Sequence, residues 1–363
     1  MRGHAPAAGL EFRPLTAREA MRVPDLWNAA WAGVTASTNP YPLTTAVWRE
    51  RLASRHHDSS LLLGAFDGDE LVAVAHGKTP VSPWQAEAVG WVSLLAVDPD
   101  HQGRGIGTRL SAHLLTALAE RGSTLVRFGA DADHLLPGPP QESGPGVWRL
   151  LRRFGVRFGP AEHDLHVDLR PELPPTPLAP GWSLRDDDLQ GAIAFVNKTF
   201  PGRWAEELTD YVAAGAIAIT LVRGGTSDSV GSAEAQGFCA VFLGGERATS
   251  PGLIWGAVFH QELEEKTAGS VKLAGIGPLG LHPAARGAGV GLAMVRGAAD
   301  YVRRRGATDL IINWTTLTGF YGRLGARIMR TYQRAEAPLA SRDWLQAMAA
   351  GEAPQPPLLV AES

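Results

Sequence analysis

The chain has little of what would mark a secreted, membrane-bound or nucleic-acid-binding protein. Its 363 residues include one cysteine, Cys239, so no disulfide can form within the chain, which fits a reducing compartment. No apolar run approaches the roughly 18 residues of a membrane span, and the N-terminus has no apolar signal core. The 34 basic residues do not outnumber the 37 acidic ones, and no basic patch stands out. We expect a cytoplasmic protein without membrane or nucleic-acid partners.

Glycine, by contrast, is plentiful, and two similar strings each contain three glycines at alternate positions. Residues 98–107 read DPDHQGRGIG, and residues 282–291 read HPAARGAGVG, with Gln102 and Arg286 lying 184 positions apart. Each string follows an apolar strand pattern and precedes a helical one. Glycines let the backbone approach a ligand closely, and the amides at a helix N-terminus favour an anion. Both strings are therefore predicted to bind phosphate.

The glycine spacing excludes two common nucleotide motifs. Both strings have Gly-x-Gly-x-Gly, whereas a dinucleotide fold needs Gly-x-Gly-x-x-Gly followed by an acidic residue. Neither string has the Gly-Lys-Ser/Thr of a Walker loop. A flexible turn would explain one such string, but two in matching contexts indicate a shared binding function.

Length and composition indicate two domains. Residues 170–181 contain five prolines, which exclude a helix and favour an extended connection. The strand and helix patterns on either side occur in the same order. We predict an N-terminal domain at 1–169, a linker at 170–181, a C-terminal domain at 182–340 and a tail at 341–363. Each domain is expected to be of the α/β class, with helices on both faces of a mixed sheet.

The two strings resemble the acetyl-CoA signature of the GNAT superfamily of N-acetyltransferases, Gln/Arg-x-x-Gly-x-Gly/Ala. The first match runs from Ala96 to Gly107 and the second from Leu281 to Gly291. The resemblance extends through the order of strands and helices in both halves. It implies two tandem GNAT-type domains, each with a mostly antiparallel sheet flanked by helices, and acetyl-CoA as the cofactor.

The resemblance also implies which residues hold the cofactor. In such enzymes the loop amides bind the CoA pyrophosphate, and the preceding strand separates from its neighbour to pair with the pantetheine. Pro278 would interrupt that strand in the second half, because proline cannot complete a strand ladder. The residues so assigned are Leu95, Ala96, Val97, Gln102, Gly103, Arg104, Gly105, Ile106, Gly107, Thr108, Leu279, Gly280, Leu281, Arg286, Gly287, Ala288, Gly289, Val290, Gly291 and Leu292.

The two halves differ where the family often has a tyrosine that protonates the departing thiolate. The second half has Tyr321 in a Tyr-x-x-x-Gly setting, which a packing role for its ring would also explain. The first half has Leu151 at the comparable place, or Trp148 if the alignment shifts, and neither side chain is an acid. We predict that Tyr321 is catalytic and that only the C-terminal half transfers acetyl groups. The closer loop match in the first half argues against this.

The sequence leaves the acceptor open. We favour a small-molecule primary amine, such as an amino sugar, a polyamine, an antibiotic or a thiol-bearing cofactor precursor, and a monomeric or homodimeric enzyme. A protein or peptide acetyltransferase and a non-catalytic acyl-CoA-binding sensor are the alternatives. Asn313, Trp314 and Thr315 end the strand before Tyr321 and are candidates to line the acceptor pocket. No metal is expected, because the polar cluster around Asp131 and Asp133 has too few ligands.

Overall fold

The computed structural model describes residues 9–32, 34, 39–81, 88–173, 176–224, 234–244, 253–266, 270–287 and 289–352. It divides into two compact units. Unit 1 comprises residues 1–162 and 331–363, and unit 2 comprises residues 163–330. Among the described residues, none of the helices has the length and apolar character needed to cross a membrane.

Unit 1 contains an antiparallel-rich sheet with helices on both faces. Its strands follow the order β1-β2-β3-β4-β5-β12, and only the β4–β5 pair is parallel. The strands are β1 (Glu11–Pro14), β2 (Leu62–Asp67), β3 (Glu70–Lys78), β4 (Val89–Val97), β5 (Leu125–Phe128) and most of β12 (Arg327–Pro338). The helices are α1 (Ala17–Ala20), α2 (Val23–Ala32), α3 (Thr45–Leu52), α4 (Ile106–Glu120), α5 (Pro145–Arg153) and α11 (Arg342–Ala350).

Unit 2 repeats this plan. Its strands follow the order β6-β11-β10-β9-β8-β7, and only the β10–β11 pair is parallel. The strands are β6 (Arg157–Asp168, from His163 onward), β7 (Trp182–Arg185), β8 (Ile217–Arg223), β9 (Glu234–Leu243), β10 (Leu273–Leu281) and β11 (Asp309–Thr315). The helices are α6 (Leu189–Thr199), α7 (Arg203–Ala213), α8 (Gly256–Lys266), α9 (Val290–Arg304) and α10 (Thr318–Gly322). Two mixed, mostly antiparallel sheets confirm the predicted fold class.

The sequence predicted two domains that are each continuous in the chain, whereas unit 1 is formed from two separate segments. The part of β6 after residue 162 pairs with β11 in unit 2, and the part of β12 after residue 330 pairs with β5 in unit 1. Each sheet therefore takes its sixth strand from the opposite half of the sequence. A strand's alternating pattern is the same whichever sheet it joins, so the sequence contains no local sign of this exchange.

The helix after each glycine string packs on its own sheet through one apolar face. On α4, Ile106, Leu110, Leu114 and Leu118 are buried in the unit 1 core, as their four-residue spacing predicts. On α9, Val295, Ala299 and Val302 occupy the same place in the unit 2 core. The other face of the unit 2 sheet is covered by α6 and α7 through a separate apolar cluster. These contacts fix the start of each helix beside the end of the preceding strand.

Candidate acyl-CoA sites

The described glycines of the two strings have matching backbone conformations. Gly103 and Gly105 have φ of 77° and 79°, and Gly287 and Gly289 have φ of 83° and 75°, a left-handed conformation that favours glycine. Gly105 precedes α4 and Gly289 precedes α9, and neither helix start has a side-chain cap. The first amides of both helices are therefore available to a phosphate.

The third glycine of each string lets the helix approach the end of the strand. A Cβ on Gly107 would lie 3.2 Å from Val97 Cγ2, and one on Gly291 would lie 2.9 Å from Leu281 Cδ1. In unit 1 the Gln102 side chain also donates a hydrogen bond from Nε2 to the Val97 carbonyl at 3.0 Å. The string and the strand end that we assigned to the cofactor thus lie together in each unit.

The strand before each loop separates from its parallel neighbour. β4 pairs with β5 only as far as Val92 and Phe128, and beyond that point it pairs only with β3 among the described strands. β10 pairs with β11 only as far as Ile276 and Ile312. Each opening exposes backbone groups to a ligand that could pair with them as a further strand would.

A strand irregularity accompanies each opening. In unit 2 it is the cis peptide Gly277–Pro278, at the interruption that Pro278 predicts. In unit 1 the register shifts at Ser93, where no proline or glycine marks the sequence. The repeat continues past the openings, since Ala130 and Trp314, also 184 positions apart, both have left-handed φ, 54° and 52°.

The predicted leaving-group residue lies inside unit 2. Tyr321 on α10 is buried against the core that contains Cys239, and its hydroxyl has no hydrogen bond among the described residues. Burial, with a small contribution from Cys239, raises the pKa of Tyr321 above its ordinary value. The phenol is therefore held in its protonated form, the form that a proton donor needs.

Unit 1 has no acid at the corresponding places. Leu151 on α5 is buried in the apolar core, and the Trp148 indole donates from Nε1 to the Ser143 carbonyl at 2.9 Å. Neither side chain can supply a proton to a leaving thiolate. The difference between the halves that the sequence indicates is thus present in the structure.

Beside its opening, unit 1 has a buried charged cluster instead. Lys78 lies 3.2 Å from Asp131 Oδ1 and also forms an ion pair with Asp133. Ser54 donates to Asp133 at 2.7 Å, and Arg51 donates to the Asp133 carbonyl at 2.7 Å. Burial opposes ionisation of Asp133, but the charges of Lys78 and Arg51, together with hydrogen bonds from Lys78 and Ser54, outweigh it and bring its pKa to about 2. Lys78 and Arg51 thus offset the charge of the two carboxylates.

Two histidines adjoin this cluster. His57 Nδ1 and His76 Nε2 lie 3.2 Å apart, and His76 is fully buried. Burial, with the nearby Lys78 charge, lowers the pKa of His76 well below its ordinary value. Across the part of the chain that the structure describes, no group of three or more His, Cys, Asp or Glu side chains is arranged to hold a metal ion.

In unit 2, aromatic rings lie beside the opened strand. The Phe200 and Trp204 rings are tilted against each other with centroids 5.1 Å apart, and a Cβ on Gly280 would lie 2.6 Å from the Phe200 ring. The Arg203 guanidinium lies 5.9 Å from the Trp314 ring centroid. The Phe200 ring thus lies beside Gly280, one of the strand residues assigned to the pantetheine, and Arg203 forms an ion pair with the buried Glu207 on the same helix.

The structure brings the loop and strand residues assigned to the cofactor together in each unit, but the sequence did not predict the side chains around them. Ala288 lies outside the described residues, and the side chains of Ile106 and Val290 are buried, so only their backbone can face a ligand. Ser93 and Lys78, and Asp164, which is described below, were not predicted. Of these three, only Lys78 stands out in the sequence, as a charged residue at the end of an apolar strand.

Comparison with known proteins agrees with this geometry. The family model described as acetyltransferase (GNAT) family matches residues 23–135. A mycothiol acetyltransferase from Amycolatopsis mediterranei (strain U-32) is 30% identical over 273 residues, which cover 69% of this chain and 77% of that protein.

Solved structures share the fold over most of the chain. A GCN5-related glucosamine N-acetyltransferase region in a fungal multi-domain GH3 beta-N-acetylglucosaminidase gives a TM-score of 0.74 at 21% identity, covering 92% of this chain and 38% of that one. The chain thus spans well under half of the fungal protein's length. A tandem GNAT protein from the clavulanic acid biosynthesis pathway gives 0.58 at 19% identity, covering 92% of this chain and 99% of that one.

Proposed function

We propose that this chain, which belongs to the acetyltransferase (GNAT) family, transfers the acetyl group of acetyl-CoA to a primary amine of a small molecule, and that unit 2 performs the transfer. The family makes the chain an N-acetyltransferase with two tandem domains. Family membership does not decide the acceptor class or which unit is catalytic. Our proposal for both rests on the residues beside the two openings.

In each unit, the acetyl-CoA pyrophosphate would be bound by the loop amides, at Gln102–Thr108 and at Arg286–Leu292. The pantetheine would pair with the opened strand, along Leu95–Val97 and Leu279–Leu281. Two observations support this assignment: the uncapped starts of α4 and α9, and the separation of each strand from its parallel neighbour. A backbone amide near the end of the opened strand would polarise the thioester carbonyl.

The choice of unit 2 rests on one observation. Tyr321 is a buried phenol with a raised pKa, and unit 1 has Leu151 at the comparable position. In the proposed reaction the amine nitrogen forms a bond to the thioester carbon, and the C–S bond breaks. Tyr321 gives its proton to the departing sulfur, and the proton that the amine loses returns through solvent to the phenol. A positioned general acid typically contributes about 10²–10⁴-fold to such a step.

Unit 1 would bind acyl-CoA without transferring its acetyl group. Its loop matches the family signature more closely, but the space beside its opening holds the Lys78 ion pairs and the buried Leu151. This observation keeps a binding role for unit 1 alongside catalysis in unit 2.

Tyr321→Phe tests the choice of unit 2. We expect kcat for amine-dependent thiol release from acetyl-CoA, assayed with glucosamine, spermidine and cysteinamide, to fall at least about 100-fold. Tyr301→Phe is the matched control, because Tyr301 lies on α9 of the same unit, away from the predicted acid position, and should leave kcat unchanged. Full turnover by Tyr321→Phe would reject the assignment.

A further inference from the structure

Asn313 stands at the point where the two parallel strands of unit 2 part. The last β10–β11 pair joins Ile276 and Ile312, so Asn313 is the first residue beyond it. The β11–β6 register also breaks here, and resumes at Thr315 opposite His163. Between them, Trp314 has a left-handed φ of 52°, an uncommon conformation for a bulky residue. The chain therefore leaves the regular ladder at the opening.

Asp164 holds this irregular segment in place. Its carboxyl group is buried, and Oδ1 accepts hydrogen bonds from Asn313 Nδ2 at 3.1 Å and from the Trp314 amide at 3.3 Å. Because a carboxylate oxygen carries no proton and only accepts, the group of Asn313 that faces it is the donor, Nδ2. The orientation of the Asn313 amide is therefore fixed, and its Oδ1 faces away from Asp164.

The Asn313 Oδ1 atom is buried and has no hydrogen-bond partner among the described residues. A buried polar atom left unpaired is costly, so native proteins seldom keep one without a reason. The equivalent residue of unit 1 is Gly129, which has no side chain and whose amide donates to the Val92 carbonyl at 2.9 Å. The unpaired carbonyl thus belongs to the unit that has Tyr321.

We propose that Asn313 Oδ1 accepts an N–H hydrogen bond from the acceptor amine and so aims the amine at the thioester; this inference rests on the proposed function of unit 2. An uncharged amide oxygen suits a neutral amine, which has an N–H to donate and a lone pair to attack. A carboxylate at this position would favour the unreactive ammonium form instead. Asp164 acts as a positioning residue, since it orients the Asn313 amide.

Asn313→Leu tests the proposal, because leucine is similar in size and lacks the carbonyl. With the panel amine that wild type turns over fastest, we expect kcat/KM for the amine to fall roughly 10- to 100-fold, mostly through KM. KM for acetyl-CoA should stay within about twofold. A rise in KM for acetyl-CoA instead, with KM for the amine unchanged, would assign the carbonyl to a pantetheine amide and overturn the proposal.

Asp164→Leu provides a second test with a side chain of similar size. Leucine cannot accept from Asn313 Nδ2 or from the Trp314 amide, so the Asn313 amide is no longer held in its orientation. We expect the same rise in KM for the amine, with kcat at saturating amine reduced much less. A variant that folds, judged by its far-UV and near-UV circular dichroism, and keeps the wild-type KM would contradict the proposal.

The outcomes separate this inference from the proposed function. If Tyr321→Phe lowers kcat but neither variant changes the amine KM, only the role of Asn313 fails. If Tyr321→Phe has no effect, the choice of unit 2 fails, whatever Asn313 does. Absence of amine-dependent thiol release by wild type across the panel would overturn both.

Discussion

The two units open the same pair of strands at the same place, but they surround the opening with different side chains. After its fifth strand, unit 1 has Gly129 and Asp131 where unit 2 has Asn313 and Thr315, each 184 positions later. Asp131 is engaged by Lys78 in a buried ion pair, whereas Asn313 keeps a buried carbonyl oxygen without a partner among the described residues. Unit 1 thus has buried charges of its own at this place, and unit 2 has a neutral amide carbonyl, which we propose accepts a hydrogen bond from the acceptor amine.

This difference shows why a cofactor motif is a poor guide to catalysis. The loop binds through backbone amides, so it persists in any sequence that keeps its glycines in a left-handed conformation. Proton transfer and acceptor recognition depend on individual side chains, which can change while the loop is retained. The better-matched loop, at Gln102, thus lies in the unit that has Leu151 where the other unit has Tyr321.

Disabling one loop at a time tests which unit performs the transfer. Gly105 and Gly289 have nearly the same φ, and a Cβ on either would meet no atom within 4 Å, so valine strains both loops alike and projects toward the ligand. We expect Gly289→Val to reduce turnover to background and Gly105→Val to retain most of it. Calorimetric titration with acetyl-CoA should give two sites in wild type and one in each variant. The reverse pattern of turnover would place catalysis in unit 1.

Lys78→Met tests whether the charged cluster of unit 1 is structural. Removing one partner of a buried ion pair leaves uncompensated charge, and we expect unit 1 to be destabilised by about 3–5 kcal/mol in urea unfolding. Arg342→Met, which removes the exposed Arg342–Glu120 pair of the same unit, should cost less than about 1 kcal/mol. Turnover of the folded Lys78→Met protein should match wild type. A folded variant that has lost turnover would give Lys78 a part in catalysis.

Features set by short stretches of sequence were predictable here. The apolar strand pattern before the first string corresponds to β4, and the glycine spacing predicted the left-handed loop positions. Tyr321 was assigned from the resemblance of its Tyr-x-x-x-Gly setting to the family. Each of these signals lies within about ten residues of the structure it specifies, where local propensity and spacing dominate.

Features set by distant contacts were not predictable. Lys78 and Asp131 lie 53 positions apart, and Asp164 and Asn313 lie 149 apart, so no spacing relates them. The opening of β4 depends on a bulge at Ser93, which no glycine or proline marks. Such features arise from which strands meet in the sheet, and that is decided by packing of the whole unit rather than by local pattern.

The buried charge of Asp133 should make the stability of unit 1 depend on pH in the acid range. The pKa of Asp133 is about 2 in the fold, below the ordinary value of about 3.9. Its ionised form therefore stabilises unit 1 fully above about pH 4, and this contribution is lost as the pH falls toward 2. We expect unfolding free energy to decrease by on the order of 1–2 kcal/mol across that window, and Asp133→Asn to remove this part of the pH dependence. An unchanged slope in the variant would show that Asp133 is not responsible.

The last prediction concerns the dependence of kcat on pH above about pH 8. An exposed tyrosine ionises near pH 10, but burial raises the pKa of Tyr321 above that value, so the proton donor stays intact at lower pH. Because kcat reports groups in the substrate-bound enzyme, we expect kcat to show no fall between about pH 8 and pH 10. The acceptor's own ionisation affects kcat/KM, so kcat at saturating amine is the quantity to measure. A fall centred below about pH 9 that disappears in Tyr321→Phe would mean that Tyr321 ionises there, and that its burial does not protect the proton on which catalysis by unit 2 depends.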